Sequence, residues 1–153
     1  MTLLFAILIG FFAGLRSLTP PAAVAWAVHL GWIKLARPLS LIGSLPAVII
    51  LSLLAITELI FDKLPNTPSR TAPPGLIARI VTGAFTGACV ALGGGRSAFA
   101  GAGLGLIGGI VGAFAGYHAR ARLVRSLRRP DFNIALIEDL VAIGGSLFIV
   151  SRF

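Results

Sequence analysis

Charge is scarce in this 153-residue chain, and acidic charge scarcest: five Asp or Glu residues stand against 13 Lys or Arg. Charged residues make up 12% of the chain, roughly half the share of about 25% usual in soluble domains, which excludes an ordinary water-soluble fold. Cysteine occurs once, at Cys89, which excludes an intrachain disulfide and a cysteine-based metal site. Its apolar Gly/Ala-rich setting reads as a small packing residue. His29 and His118 are the two histidines and do not fall in a metal-ligand spacing, so no metal and no other cofactor is expected. Ser17 has no His or Lys close in sequence, and the glycines lie on apolar segments, not in a phosphate-cradling strand-loop-helix. No catalytic residues are therefore expected, and the chain does not read as an enzyme.

Apolar residues are what the chain has, at 57% with a mean hydropathy of +0.98. Residues 41–61, 76–92, 98–117 and 134–150 form runs close to the roughly 20 residues that cross about 30 Å of hydrocarbon. Four full transmembrane helices are predicted from them. Residues 3–15 and 20–32 are also apolar but too short to span alone, reaching about 20 Å each. The expectation is an all-α, polytopic membrane protein: one integral domain over residues 1–153, with a broken or re-entrant helical hairpin at its N-terminus. The opening "MTLLFAILIGFFAG" has no Lys or Arg ahead of its apolar stretch, a poor match to a cleaved signal, so it is expected to stay in the mature protein.

The net charge of +8 falls mostly between the apolar runs. Lys63, Arg70, Arg79, Arg120, Arg122, Arg125, Arg128 and Arg129 lie on one side if the spans alternate, and Lys34, Arg37, Arg96 and Arg152 on the other. The positive-inside rule then makes the 63–79 and 119–132 loops cytoplasmic. Arg120, Arg122, Arg125, Arg128 and Arg129 are expected to meet anionic lipid headgroups, and with no aromatic platform nearby a nucleic-acid partner is not expected. Trp26, His29, Trp32, Tyr117 and His118 read as interfacial anchors.

Glycine is abundant, at 19 residues, and regularly spaced. Gly83 and Gly87, then Gly101, Gly105 and Gly109, then Gly108, Gly112 and Gly116 recur every four residues, which makes flat faces for close helix packing. The spacing leaves open whether the partner is the same chain or another subunit; in so small a chain it points to a homo-oligomer. The pattern G-x-R-S occurs at Gly14–Ser17 and Gly94–Ser97, and Arg16 precedes Glu58 by the same 42 residues as Arg96 precedes Glu138. Half-repeats over 1–66 and 75–153 in inverted orientation would explain this, as in many transporters. Against it, the apolar "SLIGSLPAVII" aligns with the basic "RARLVRSLRRP".

The stretch "AGLRSLTPPAA" places a charge and two prolines inside the oily N-terminus. A charge within a span costs about 2.5–3.5 kcal/mol on insertion scales and calls for a partner or a wet cavity. Glu58 and Asp62, four apart on one helix face, and Glu138 and Asp139 are the available acids. A turn at "RSLTPP" that re-enters would carry Arg16 to the depth of Glu58 and Glu138, and this is favoured over a simple crossing. Thr19 is expected to N-cap a helix beginning at Pro20 and Pro21. Arg16 at one half-helix C-terminus and free N–H groups at the next would make an anion or polar-solute site. Arg16, Ser17, Thr19, Glu58, Asp62, Glu138 and Asp139 are its candidate residues. The structural alternative is that Arg16 only neutralises Glu58.

The segments "AGLRSLTPPAAVAWA", "ITELIFDKLPNTPSR" and "PDFNIALIEDLVAIGGS" resemble the small bacterial membrane proteins catalogued as domain of unknown function 4126. The resemblance covers most of the chain: G-L-R-S followed by Pro, E-x-x-x-D-K-x-P at a helix end, a Gly/Ala-rich middle and a late A-x-x-E-D. It implies a helical protein of the bacterial inner membrane and marks Arg16, Ser17, Glu58, Asp62, Lys63, Glu138 and Asp139 as motif positions. It implies no activity. Two functions are expected to compete: binding or conduction of an ion or small polar solute, and a non-catalytic scaffold or accessory subunit packing through glycine faces.

Overall fold

A computed structural model describes residues 1–63, 71–127 and 131–153, without the side chains of residues 127 and 131. The described residues form helices and no strand: α1 (Thr2–Leu15), α2 (Thr19–His29), a short 3-10 turn (Leu39–Gly43), α3 (Leu45–Phe61), α4 (Pro73–Gly93), α5 (Ala98–Leu127) and α6 (Asp131–Val150).

The central packing unit is α5 against α4 on one side and α1 on the other, and glycine makes it possible. A Cβ on Gly83 would lie 2.6 Å from the Gly105 carbonyl oxygen, and one on Gly109 would lie 2.8 Å from the Arg79 carbonyl oxygen. Gly87 meets Gly101 and Gly105 in the same way, while Gly108 and Gly112 press on the α1 backbone at Ile7 and Phe11. Seven of the eight glycines predicted to pack helices are thus used within this chain. The eighth, Gly116, is buried and borders a groove.

Helix direction alternates. A Cβ on Gly94, after α4, would strike Thr2 at the start of α1, and one on Gly93 would strike Ile33, just beyond α2. Phe5 and Phe153 stack edge-to-face at the same end, 6.1 Å between centroids. The α1–α2 unit is therefore a hairpin whose two outer ends meet the end of α4. Its turn, residues 16–18, reaches the far ends of α3 and the early parts of α4 and α6. Ile9, Val24, Ile33, Val90 and Ile149 fill the core between these elements.

Pro73–Gly93, Ala98–Ser126 and Phe132–Val150 are long and apolar enough to cross a membrane. The predicted span 41–61 is divided: a 3-10 turn ends at Gly43, and α3 starts at Leu45 with Pro46 in its first turn. Its 17 residues reach about 25 Å. Only Val48 and Ala55 of α3 are buried, because it packs chiefly on α2 and the 3-10 turn. Trp26 donates its indole N–H to Ser52 at 3.0 Å across that contact.

The described parts of the two basic segments expected as loops are largely helical. Residues 73–79 belong to α4, and α5 runs on past Tyr117 through Arg120, Arg122 and Arg125. Arginine is a good helix former and no Pro interrupts the chain before Pro130, so nothing ends α5 at the change from apolar to basic. Arg70, Arg128 and Arg129, and most of the proline-rich connector at 63–75, lie outside the described residues.

Candidate functional site

The site begins where α1 stops. Arg16 is extended (φ −138°, ψ 113°) and donates its backbone N–H to the Phe12 carbonyl at 2.8 Å. After it, α2 begins at Thr19 with Pro20 and Pro21 in the first turn, where absent N–H groups leave no bond unmade. The donors that remain at the turn are satisfied from α3. Glu58 Oε1 accepts the Ser17 N–H at 2.8 Å and the Ser17 hydroxyl at 2.6 Å, and Oε2 accepts the Leu18 N–H at 2.8 Å.

This corrects the expected Thr19 cap. The helix starts one residue earlier than predicted, so Thr19 is itself helical and cannot cap it. Its Oγ1 is buried with no partner, and the residue is 7% exposed. An anion does sit at the α2 N-terminus, as the dipole favours, but it is the protein's own Glu58.

Arg16 is 0% exposed. Its guanidinium pairs with Asp62 at the end of α3 and with Asp139 of α6, the latter at 2.6 Å, while its Nε has no partner. The expected partners were Glu58 and Glu138. Glu58 is held by the turn amides instead, and Asp139 lies one residue, about 100°, around α6 from Glu138, which turns toward α5.

Three further cations complete the centre. Lys63 Nζ is 2.6 Å from Asp139 Oδ2 and donates to the Leu59 carbonyl at 2.7 Å. Arg120 Nη1 donates to Asp62 Oδ2 at 3.1 Å and stands 3.9 Å from Glu138. Arg79, 6% exposed, donates from Nε to the Gly14 carbonyl at 3.1 Å and from Nη1 to Gly75 at 2.9 Å. It thereby satisfies one of the orphan carbonyls that end α1. Among the described residues, Arg16, Lys63 and Arg120 meet Asp62, Glu138 and Asp139, while Arg79 bonds backbone carbonyls and Glu58 the turn donors beside them. Removing one member of a buried pair leaves an uncompensated charge, at about 3–5 kcal/mol.

All seven candidate site residues therefore fall at one turn of the fold. Arg79 and Arg120 were missed because the sequence assigned them to loops. A signal was present for Arg120, which continues the Gly108, Gly112 and Gly116 spacing by one more helical turn. Arg122 and Arg125 stay outside the centre; Arg125 donates only to the Ala121 carbonyl, at 3.1 Å. His29 bonds the Gly43 carbonyl at 2.8 Å, and His118 stacks on Tyr117 with 5.3 Å between centroids, so the histidines do not meet.

Beside the centre, α5 and α6 diverge over α1 and leave a partly open groove of about 260 Å³. Phe11, Leu15, Leu123, Ile137 and Val141 give it apolar walls, and Arg120 and Glu138 border it. The charged centre is thus flanked by an apolar surface.

No curated protein and no solved structure matches this chain. The family described as Domain of unknown function (DUF4126) matches residues 3–151 of the 153, and the chain belongs to that family.

Proposed function

We propose that this chain is a multi-pass membrane protein that binds or conducts an ion or small polar solute at the centre around Arg16. The observation that carries the reading is a fully buried guanidinium held between aspartates of two helices at the tip of a hairpin. Counted at 1.5 Å per residue, Asp139 lies about 17 Å from Val150 and Glu58 about 20 Å from Leu45. Those depths fall in the middle of an apolar layer about 30 Å thick, where ionisable groups mark solute or proton routes by default.

The contacts of Thr2 with Gly94 and of Ile33 with Gly93 support a re-entrant hairpin entering and leaving by one face. The opposite run of α1–α3 and α4–α6 supports related halves, although Arg16 and Arg96 occupy unlike positions. The 63–79 and 119–132 segments belong on the cytoplasmic side of a bacterial inner membrane in this reading, with Arg122 and Arg125 against anionic headgroups. A second reading, a scaffold or accessory subunit, is favoured by α3, whose Leu45, Ile49, Ile50, Leu53, Ile56 and Ile60 are all exposed. That surface also suits contact between copies of the chain.

Access of water to the centre separates the two. In a Cys89→Ala background, Ser17→Cys should react with a small water-soluble thiol reagent in liposomes, more slowly than Ser97→Cys at the exposed turn. No reaction at residue 17 under conditions that label residue 97 fully would remove the solute-binding reading.

A further inference from the structure

The geometry points to Glu58 as a tethered occupant of an anion site, one that takes a small carboxylate or another planar two-oxygen monoanion. This deepens the solute-binding reading above and rests on it. The seat has three donors on consecutive residues, the Ser17 N–H, the Ser17 hydroxyl and the Leu18 N–H, all within 2.8 Å of one carboxylate. Two of them hold one oxygen and the third holds the other, an arrangement matched to a flat O–C–O group and poorly matched to a spherical halide.

The seat lies at the N-terminus of an 11-residue helix, whose dipole favours negative charge there. Among the described residues, two buried polar groups at the same turn have no hydrogen-bond partner. Thr19 Oγ1, on a residue 93% buried, has no partner, and neither has Nε of the fully buried Arg16. Buried polar atoms normally find a partner, so the turn holds more binding capacity than Glu58 uses.

Charge gives the same answer. Glu58 is carried on α3, which packs chiefly on α2 and the 3-10 turn and buries only Val48 and Ala55, while the donors belong to the hairpin turn. Among the described residues, withdrawing Glu58 takes one negative charge from a turn that holds the buried cations Arg16 and Arg79. A free monoanion bound at the turn amides restores the balance and remakes the same bonds.

The test is chemical rescue of the full chain in detergent, followed by thermal unfolding. Glu58→Ala should unfold at least about 5 °C below the native chain, since it loses three charge-assisted bonds. Sodium acetate or formate should recover at least half of that shift in a saturable way, with sodium chloride at equal ionic strength recovering much less. Glu58→Gln still fills the space of the seat, though its one amide oxygen can accept from only part of the donor set, so it should respond to acetate much less than Glu58→Ala, and the native chain should show no response beyond that of chloride. Acetate acting equally on Glu58→Gln and Glu58→Ala, or an alanine variant indifferent to acetate whether folded or not, would overturn the inference. Rescue without solute flux would retain the anion site and remove conduction; flux without rescue would do the reverse.

Discussion

Gly14–Ser17 and Gly94–Ser97 share the pattern G-x-R-S, yet the fold uses them in opposite ways. At the second, α4 ends in a Schellman turn: Gly95 has φ +68°, the Arg96 N–H returns to the Ala91 carbonyl at 2.8 Å, and the Arg96 side chain is exposed. At the first, Arg16 is extended and wholly buried between Asp62 and Asp139. What differs is the surroundings. Pro20 and Pro21 restart a helix directly after Arg16, and the acid-bearing α3 and α6 close over that turn, whereas no Asp or Glu precedes or follows Arg96 for more than 30 residues. A four-residue pattern therefore specifies a break between helices, and the rest of the sequence decides whether the break becomes a site or a cap.

The sharpest way to break this comparison is to remove each arginine. Arg16→Ala should destabilise the protein in micelles by about 3–5 kcal/mol, because Asp62 and Asp139 are left buried with less compensation. Arg96→Ala should stay within about 0.5 kcal/mol, as surface substitutions do. Equal effects in thermal or denaturant unfolding would show that the two turns are not as different as their burial indicates.

Next in size is the glycine packing that joins α5 to α4 and α1. Gly105→Ala would drive a methyl into the Gly83 carbonyl on α4, and overpacking of this kind costs about 1–3 kcal/mol. Gly103, two residues away on the same helix, has nothing within 4 Å of a Cβ, so Gly103→Ala should be neutral by the same measurement. A loss at residue 103 would mean that the outer face of α5 is covered by another subunit.

The smallest effect belongs to the cap. Gly95→Ala places a side chain at positive φ and should cost about 1 kcal/mol, read as a few degrees of melting temperature, with no change at the Arg16 centre.

Much of this was legible in the sequence, and the exceptions share a cause. The break at "RSLTPP", the glycine packing and the need of Arg16 for acid partners follow from local chemistry: proline ends helices, small residues allow close approach, and a charge among apolar residues needs a partner. The choice of Asp139 over Glu138 was not legible, because neighbouring residues on a helix differ by about 100° and only packing against α1 and α5 sets the rotation. Arg79 was counted with the 63–79 loop although the run 76–92 already contained it; with α4 starting at Pro73 it lies well inside the helix and is buried. The split of the 41–61 run was written at Gly43, Ser44 and Pro46, but a high mean hydropathy masks such punctuation.

The central claim is that the centre around Arg16 handles a solute. Its most direct test is flux in proteoliposomes, with carboxylate and inorganic ions offered in turn to the native chain, Arg16→Ala, Glu58→Gln and Arg96→Ala. The account predicts flux for the native chain and for Arg96→Ala, and a loss of at least about tenfold for the two centre variants, the effect of 1.4 kcal/mol or more on a barrier. Native flux that Arg16→Ala and Glu58→Gln leave unchanged, or no flux of any ion by the native chain, would contradict it.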